Sequence, residues 1–297
     1  MSKEGQHLLD WEEFIRIFSC YETGYDTYVL VESRCFMPWA SEIQSALFRN
    51  ATAKMIARAT KLSEKDSMVM AESIVPKRSR WERPPVWPAY ATEICDRAKA
   101  ELTIIISPKE IIGSIAGMSR SLIEKITDKS YQPYVWTNDF LNKMSRYSLG
   151  LISSSPTLFT MASLDKWGVD YNKLGIFVFG GNYALDNDLQ FKPHSDPWEW
   201  SIDQMMSQGK PKPHMALLIE PDPFNLPLAM KRLQEMDIQV LGMVMATPAD
   251  SGARCVAERR TIAALTTLID DRKKAMKLAG RIVIAEAQSN IAQLMAI

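Results

Sequence analysis

The chain has 297 residues, 46% of them hydrophobic, which excludes a disordered polypeptide and predicts one α/β domain with an extension, or two domains. Its 35 basic and 35 acidic residues cancel, so net charge draws it as a whole toward neither nucleic acid nor membrane; such contacts would rest on local patches. Four scattered cysteines (Cys20, Cys35, Cys95, Cys255) without a CxxC pair, and three dispersed histidines (His7, His194, His214), predict reduced thiols and no metal cluster.

In chain order, residues 1–75 read as a helical N-terminal extension. "LLDWEEFIRIF" places Leu8, Trp11, Phe14, Ile15 and Phe18 on one face. "SEIQSALFRNATAKMIARATKL" repeats the pattern with Ile43, Leu47, Met55, Ile56 and Leu62, and "SEKDSMVMAESI" starts on Ser63 with Asp66 three residues on. Glu4, Asp10, Glu12 and Glu13 argue against a secretory signal or an Arg-rich presequence. Residues 76–100 hold a proline-rich basic connector, "VPKRSRWERPPVWPAY", and a short helix, "TEICDRAKA".

From residue 101 to 297 the pattern changes to α/β. "LTIIIS" (Leu102–Ser107), "QPYVWTN", "KLGIFVFGG", "HMALLIE" and "DIQVLGMVMAT" read as strands. Between them lie helices: one from Pro108 carrying Ile111, Ile112, Ile115, Met118, Leu122 and Ile126; "DFLNKMSRYSL" with Asp139 near its start; and "NLPLAMKRLQEM" with Leu226, Met230 and Leu233 inward and Pro227 in its first turn. "GLISSSPTLFTMASL" fits either state. "VAERRTIAALTTLIDDRKKAMKLAG" reads as a long final helix. Apolar strands alternating with helices predict a mostly parallel, doubly wound sheet covered on both faces. No run approaches the roughly 18 apolar residues of a membrane span.

Ligands of such sheets bind beyond the carboxyl ends of the strands. The candidates there are Glu220 and Asp222 after one strand, Thr247, Asp250 and Ser251 after the next, and Gly180, Gly181 and Asn182 after a third. An enzyme would pair Asp222 with Asp250 around a metal, or as acid and base, on a phosphorylated or nucleotide substrate. Both also sit beside prolines, where aspartate serves turns, and that ordinary role is the favoured one. "FGGN" is too short for a phosphate loop, and His194, Ser195 and Asp196 are too close in sequence to converge as a triad. The basic clusters carry a different reading. Lys77, Arg78, Arg80 and Arg83 around Trp81 suit an extended strand lying along phosphates, and Arg254, Arg259 and Arg260 gather at the start of the final helix.

From Pro213 onward the order of features resembles the C-terminal half of the S-two family of small-subunit ribosomal proteins. A proline is followed by a strand ending in an acidic-proline step ("ALLIEP"), a helix ("PLAMKRLQEM"), a second strand ("DIQVLGMVMAT") and a long helix ("CVAERRTIAALTTLI"). "LTIIISPKEIIGSIAGMSRSLIEKI" and "QPYVWTNDFLNKMSRYSLG" stand for that family's first two strand–helix units. The chain departs from the family in lacking an Asp before the threonine turn and in having "CVAERR" where the family has an Ile-Pro-Gly-Asn-Asp step. The resemblance implies a divergent, organelle-type structural protein of the small ribosomal subunit, mitochondrial or else cytoplasmic. Its partners would be ribosomal RNA and neighbouring ribosomal proteins, with no catalysis, cofactor, metal, membrane or small-molecule substrate. The basic residues named above would form its RNA contacts. The remaining alternatives are the α/β enzyme and a viral or other RNA-coating nucleoprotein.

Overall fold

The computed structural model describes residues 27–36, 41–76, 86–126, 132–133, 137–192, 194–221, 225–246 and 280–286. Six parallel strands form one sheet: β1 (Thr27–Glu32), β2 (Ser148–Ile152), β3 (Phe177–Phe179), β4 (Met215–Glu220), β5 (Gln239–Ala246) and β6 (Gly280–Glu286), in the order β3-β2-β1-β4-β5-β6. The doubly wound parallel architecture expected from the alternating pattern is therefore present. Among the described residues no helix is long and apolar enough to cross a membrane.

Strand β1 shows why the sheet is covered twice. All six of its residues are buried. Val29 and Val31 point into one core, shared with α1 (Ser41–Thr60), α3 (Trp87–Leu102), α4 (Pro108–Lys125) and α6 (Thr157–Lys166). Tyr28 and Leu30 point into the other, against α8 (Asp196–Ser207) and α9 (Leu226–Glu235). The period of two thus delivers apolar side chains to both faces, and no polar face is left. The Tyr28 hydroxyl, buried with its ring, donates to the Pro211 carbonyl at 2.6 Å.

Helix boundaries follow local chemistry. Ser63 caps α2 (Glu64–Ile74) by accepting from the Asp66 amide, as expected from the spacing. Ser107 and Glu110 close a capping box at the start of α4, with Pro108 in its first turn. Leu62, expected on the inner face of α1, lies beyond its end and is exposed. The short helices α5 (Thr137–Met144) and α7 (Gly181–Asp186) complete the set among the described residues.

Several sequence expectations are corrected. "LTIIIS" is not a strand: Leu102 ends α3, Thr103 takes a left-handed conformation at φ 58°, and the segment then runs unpaired to the Ser107 cap. Ile104 and Ile106 are buried while Ile105 is 86% exposed, so an apolar composition alone placed it in the sheet. For "QPYVWTN", Gln132 and Pro133 belong to no strand, and Thr137 and Asn138 open α5; 134–136 lie outside the described residues. The ambiguous "GLISSSPTLFTMASL" resolves into the end of β2 and the helix α6. The strand in "KLGIFVFGG" is confined to three residues. The sheet also reaches back across the expected boundary at residue 101, because its central strand, β1, lies at 27–32. The "LLDWEEFIRIF" segment, most of the basic connector and the long final helix lie outside the described residues.

Candidate active site

Strands β2 and β3 extend the sheet on one side of β1, and β4, β5 and β6 extend it on the other. The direction of winding therefore reverses between β1 and β4, and the crevice beyond their carboxyl ends is where ligands of open parallel sheets bind. Two fully buried carboxylates stand there, Glu32 as the last residue of β1 and Glu220 as the last of β4.

After Glu32 the chain turns through a single 3-10 turn, Ser33–Cys35. The Glu32 carboxylate caps this turn by accepting from the Arg34 amide at 3.4 Å. The same carboxylate meets the Arg34 side chain, with Nε 3.6 Å from Oε1. Arg34 Nη2 reaches across to Glu220 Oε1 at 3.2 Å. Lys192, on the segment before α8, closes the other side: its Nζ pairs with Glu32 Oε2 and lies 2.9 Å from Glu220 Oε2. Each carboxylate thus divides its two oxygens between the same two cations. The lysine stem is buried, and its ammonium sits over the Trp198 ring, 5.1 Å from the centroid. Arg34 is the member that reaches the surface, with 23% of its side chain exposed.

A line of buried hydroxyls runs from this ring to α6. Ser33 Oγ lies 3.2 Å from Glu32 Oε1 and 2.8 Å from Ser153 Oγ. Ser153 Oγ is 2.5 Å from Ser155 Oγ, which is 3.0 Å from Thr160 Oγ1 on α6. The serine loop is held by the glycines of "FGGN". Gly180 N–H donates to Thr157 Oγ1, Gly181 N–H to the Ser155 carbonyl, and Asn182 Oδ1 accepts from the Thr157 amide and hydroxyl. A Cβ on Gly180 would fall 2.1 Å from the Thr157 nitrogen, and one on Gly181 2.1 Å from the Ser154 carbonyl oxygen. These glycines serve close loop-to-loop docking, as a turn rather than as a phosphate cradle.

Cys35 is buried beside the ring. Burial pushes its thiol well up, the negative charge of Glu220 adds to this, and Arg34 opposes it, so Cys35 is a neutral thiol and a poor nucleophile. Arg34 and Lys192 supply fixed positive charge suited to phosphoryl or carboxylate oxygens. Glu32 and Glu220 supply carboxylates able to take a proton. Two carboxylates are also the oxygen donors that a hard divalent cation prefers. Here, however, all four of their oxygens already face protein cations. Among the described residues no group of three or more His, Cys, Asp or Glu is arranged to hold a metal.

Of the residues singled out in the sequence, Glu220 is in the site. Asp222, Thr247, Asp250 and Ser251 lie outside the described residues, as do Lys77, Arg78, Arg80, Trp81, Arg83, Arg254, Arg259 and Arg260. Ser195 stands at the N-cap position of α8, and Asp196 accepts from the Gln190 amide at 2.9 Å, which is loop chemistry rather than a triad. Glu32, Arg34, Lys192 and the serine line were missed. The acidic end of "TYVLVE" was a readable signal for Glu32; nothing local marks Lys192.

No family model matches the chain, and no curated protein matches its sequence. Among solved structures it is similar to a hydrolase from Pseudomonas syringae (TM-score 0.42, 12% identity, covering 92% of this chain and 99% of that chain). It is also similar to cytosolic 5'-nucleotidase IIIB bound to cytidine (TM-score 0.40, 10% identity, 99% and 93%). A third is the L-2-haloacid dehalogenase from Xanthobacter autotrophicus (TM-score 0.36, 12% identity, 76% and 80%). The likeness is one of fold.

The ribosomal expectation is corrected. The strand that the resemblance placed first, in "LTIIIS", is not found there, the described residues of "QPYVWTN" belong to no strand, and the central strand lies in a stretch that the resemblance assigns to an extension. With the ribosomal role go its ribosomal RNA and protein partners, and the expectation of no catalysis and no small-molecule substrate. "PHMALLIEPDP" does form a strand and launch a crossover helix, but that unit is shared by doubly wound sheets in general.

Proposed function

We propose that the chain is an α/β enzyme, a hydrolase of small phosphorylated substrates, with its chemistry at the mouth of β1 and β4. The observation that carries this reading is the pair of buried carboxylates, Glu32 and Glu220, bridged by Arg34 and Lys192 at the point where the sheet reverses. Buried ion clusters stabilise a fold no better than apolar packing would, so one placed in the ligand crevice is better explained by what it binds.

In this reading Arg34, the exposed member, meets the phosphoryl dianion first. The substrate oxygens replace the carboxylates as partners of Arg34 and Lys192, and Glu32 is left free to act. Glu32 takes a proton from water as the water oxygen bonds to phosphorus. The bond from phosphorus to the ester oxygen breaks, and the proton passes to the departing alkoxide, giving an alcohol and inorganic phosphate.

The test is phosphate release from a panel of phosphomonoesters, including p-nitrophenyl phosphate and nucleoside monophosphates. Turnover is expected for at least one of them, and Glu32→Gln lowers it by roughly 10²–10⁴-fold, the range of a lost general base. The same rate in folded Glu32→Gln, or no release across the panel, would overturn the proposal.

A further inference from the structure

Two carboxylates closing adjacent strands of a sheet form an oxygen pair that draws a divalent cation. In this chain all four oxygens of the pair already face protein cations. Glu32 gives Oε1 to Arg34 and Oε2 to Lys192, and Glu220 gives Oε1 to Arg34 and Oε2 to Lys192. Among the described residues two negative and two positive charges close at zero. A divalent ion entering this space would either displace one of the cations or add two uncompensated charges beside two fully buried carboxylates.

The two cations are not equivalent. Lys192 is buried over Trp198 and belongs to the packed interior. Arg34 arrives from the surface on the turn that Glu32 itself caps, so the carboxylate it neutralises also fixes the backbone from which it starts. Its guanidinium lies between the two carboxylates, with Nε toward one and Nη2 toward the other. That is the position a bridging metal would need.

We propose that Arg34 and Lys192 occupy the place of a divalent metal, so that the site takes its anionic ligand without Mg²⁺ or Mn²⁺, and that Arg34 is the residue that shuts metal out. This rests on the assignment of the site made above, though its test is independent of turnover. Melting temperature and calorimetric heat are measured for the full chain with millimolar MgCl₂ or MnCl₂. The wild type is expected to show neither a saturable heat nor a melting shift. Arg34→Asp supplies a third carboxylate in place of the guanidinium. Its melting temperature is expected to rise by roughly 5 °C or more at saturating metal, and Glu220→Gln in the same chain removes the rise.

A saturable wild-type response that Glu32→Gln abolishes would overturn the proposal. So would a folded Arg34→Asp protein indifferent to metal. If Arg34→Asp does not fold, Arg34→Gln replaces it: gain of a saturable Mn²⁺ response supports the role of Arg34, and its absence counts against it. Failure of the phosphatase assay leaves all of these outcomes readable.

Discussion

Arg34 Nη2 lies 3.2 Å from Glu220 Oε1, joining the end of β1 to the end of β4 across 186 residues of chain. Lys192 joins the same two strands through the other oxygens. Removing one cation therefore leaves two buried carboxylates sharing the one that remains. Lys192→Met is expected to cost about 3–5 kcal/mol of stability, read by urea unfolding. Adding Glu220→Gln should return part of that loss, and a double-mutant cycle should give a coupling of roughly 0.5–3 kcal/mol.

Ser153 stands in the middle of the hydroxyl line, touching Ser33 and Ser155. It also accepts from the Ser155 amide at 3.2 Å. Ser153→Ala takes a partner from all three groups in a space closed to water. The expected loss is about 1–3 kcal/mol by thermal or urea unfolding.

Two glycine substitutions should move stability in opposite directions. In Gly180→Ala the new Cβ meets the Thr157 backbone nitrogen at 2.1 Å and its Oγ1 at 2.6 Å. The two loops must separate, at a cost of roughly 1–3 kcal/mol or more. Gly117 lies inside α4, is exposed, and has nothing within 4 Å of where a Cβ would sit. Gly117→Ala should gain about 0.8–1.0 kcal/mol from helix propensity alone.

Glu110 gives a dependence on pH. Its carboxyl is held below the ordinary value of 4.5, first by the Ser107 backbone amide, then by the Ser107 hydroxyl, with Arg58 contributing. A depressed folded-state pKa means that the stabilisation is complete above the ordinary value and is lost as pH falls through the lowered one. The group is near the surface, so solvent keeps the effect small. Glu110→Gln should cost roughly 0.3–1 kcal/mol at neutral pH. Stability curves of mutant and wild type should converge below pH 4.5, through the depressed pKa.

Where the sequence was legible, a local pattern and a tertiary partner agreed. "HMALLIE" and "DIQVLGMVMAT" are apolar runs bounded by turn residues and separated by a helix of period 3.6, and they became β4 and β5. "LTIIIS" carries as strong a local signal, but it follows directly on the C-terminus of α3, and among the described residues no strand pairs with it. "TYVLVE" is embedded amid helical patterns that mask it locally, although its partners, β2 and β4, make it the centre of the sheet. Strand propensity records fitness for a pleated surface and says nothing of who pairs with whom. The site divides in the same way. Glu220 is visible as an acidic residue at a strand mouth. Arg34 and Lys192 acquire their role only because the fold brings each against two carboxylates distant in sequence, and no local spacing encodes that.

The innermost strand is also among the earliest made. Ser33 waits for Ser153, 120 residues later, before it meets its hydroxyl partner, and Arg34 waits for Glu220, 186 residues later. At ordinary synthesis rates the first of these intervals is on the order of ten seconds. Throughout it, the apolar stretch "YVLV" has two open edges and no neighbour of its own. Long-range parallel pairing is slow, and an unpaired strand is open to association with other nascent chains. The vulnerable period in the life of this protein is therefore its birth: chaperone supply and translation speed should govern soluble yield more strongly than does the stability of the finished sheet.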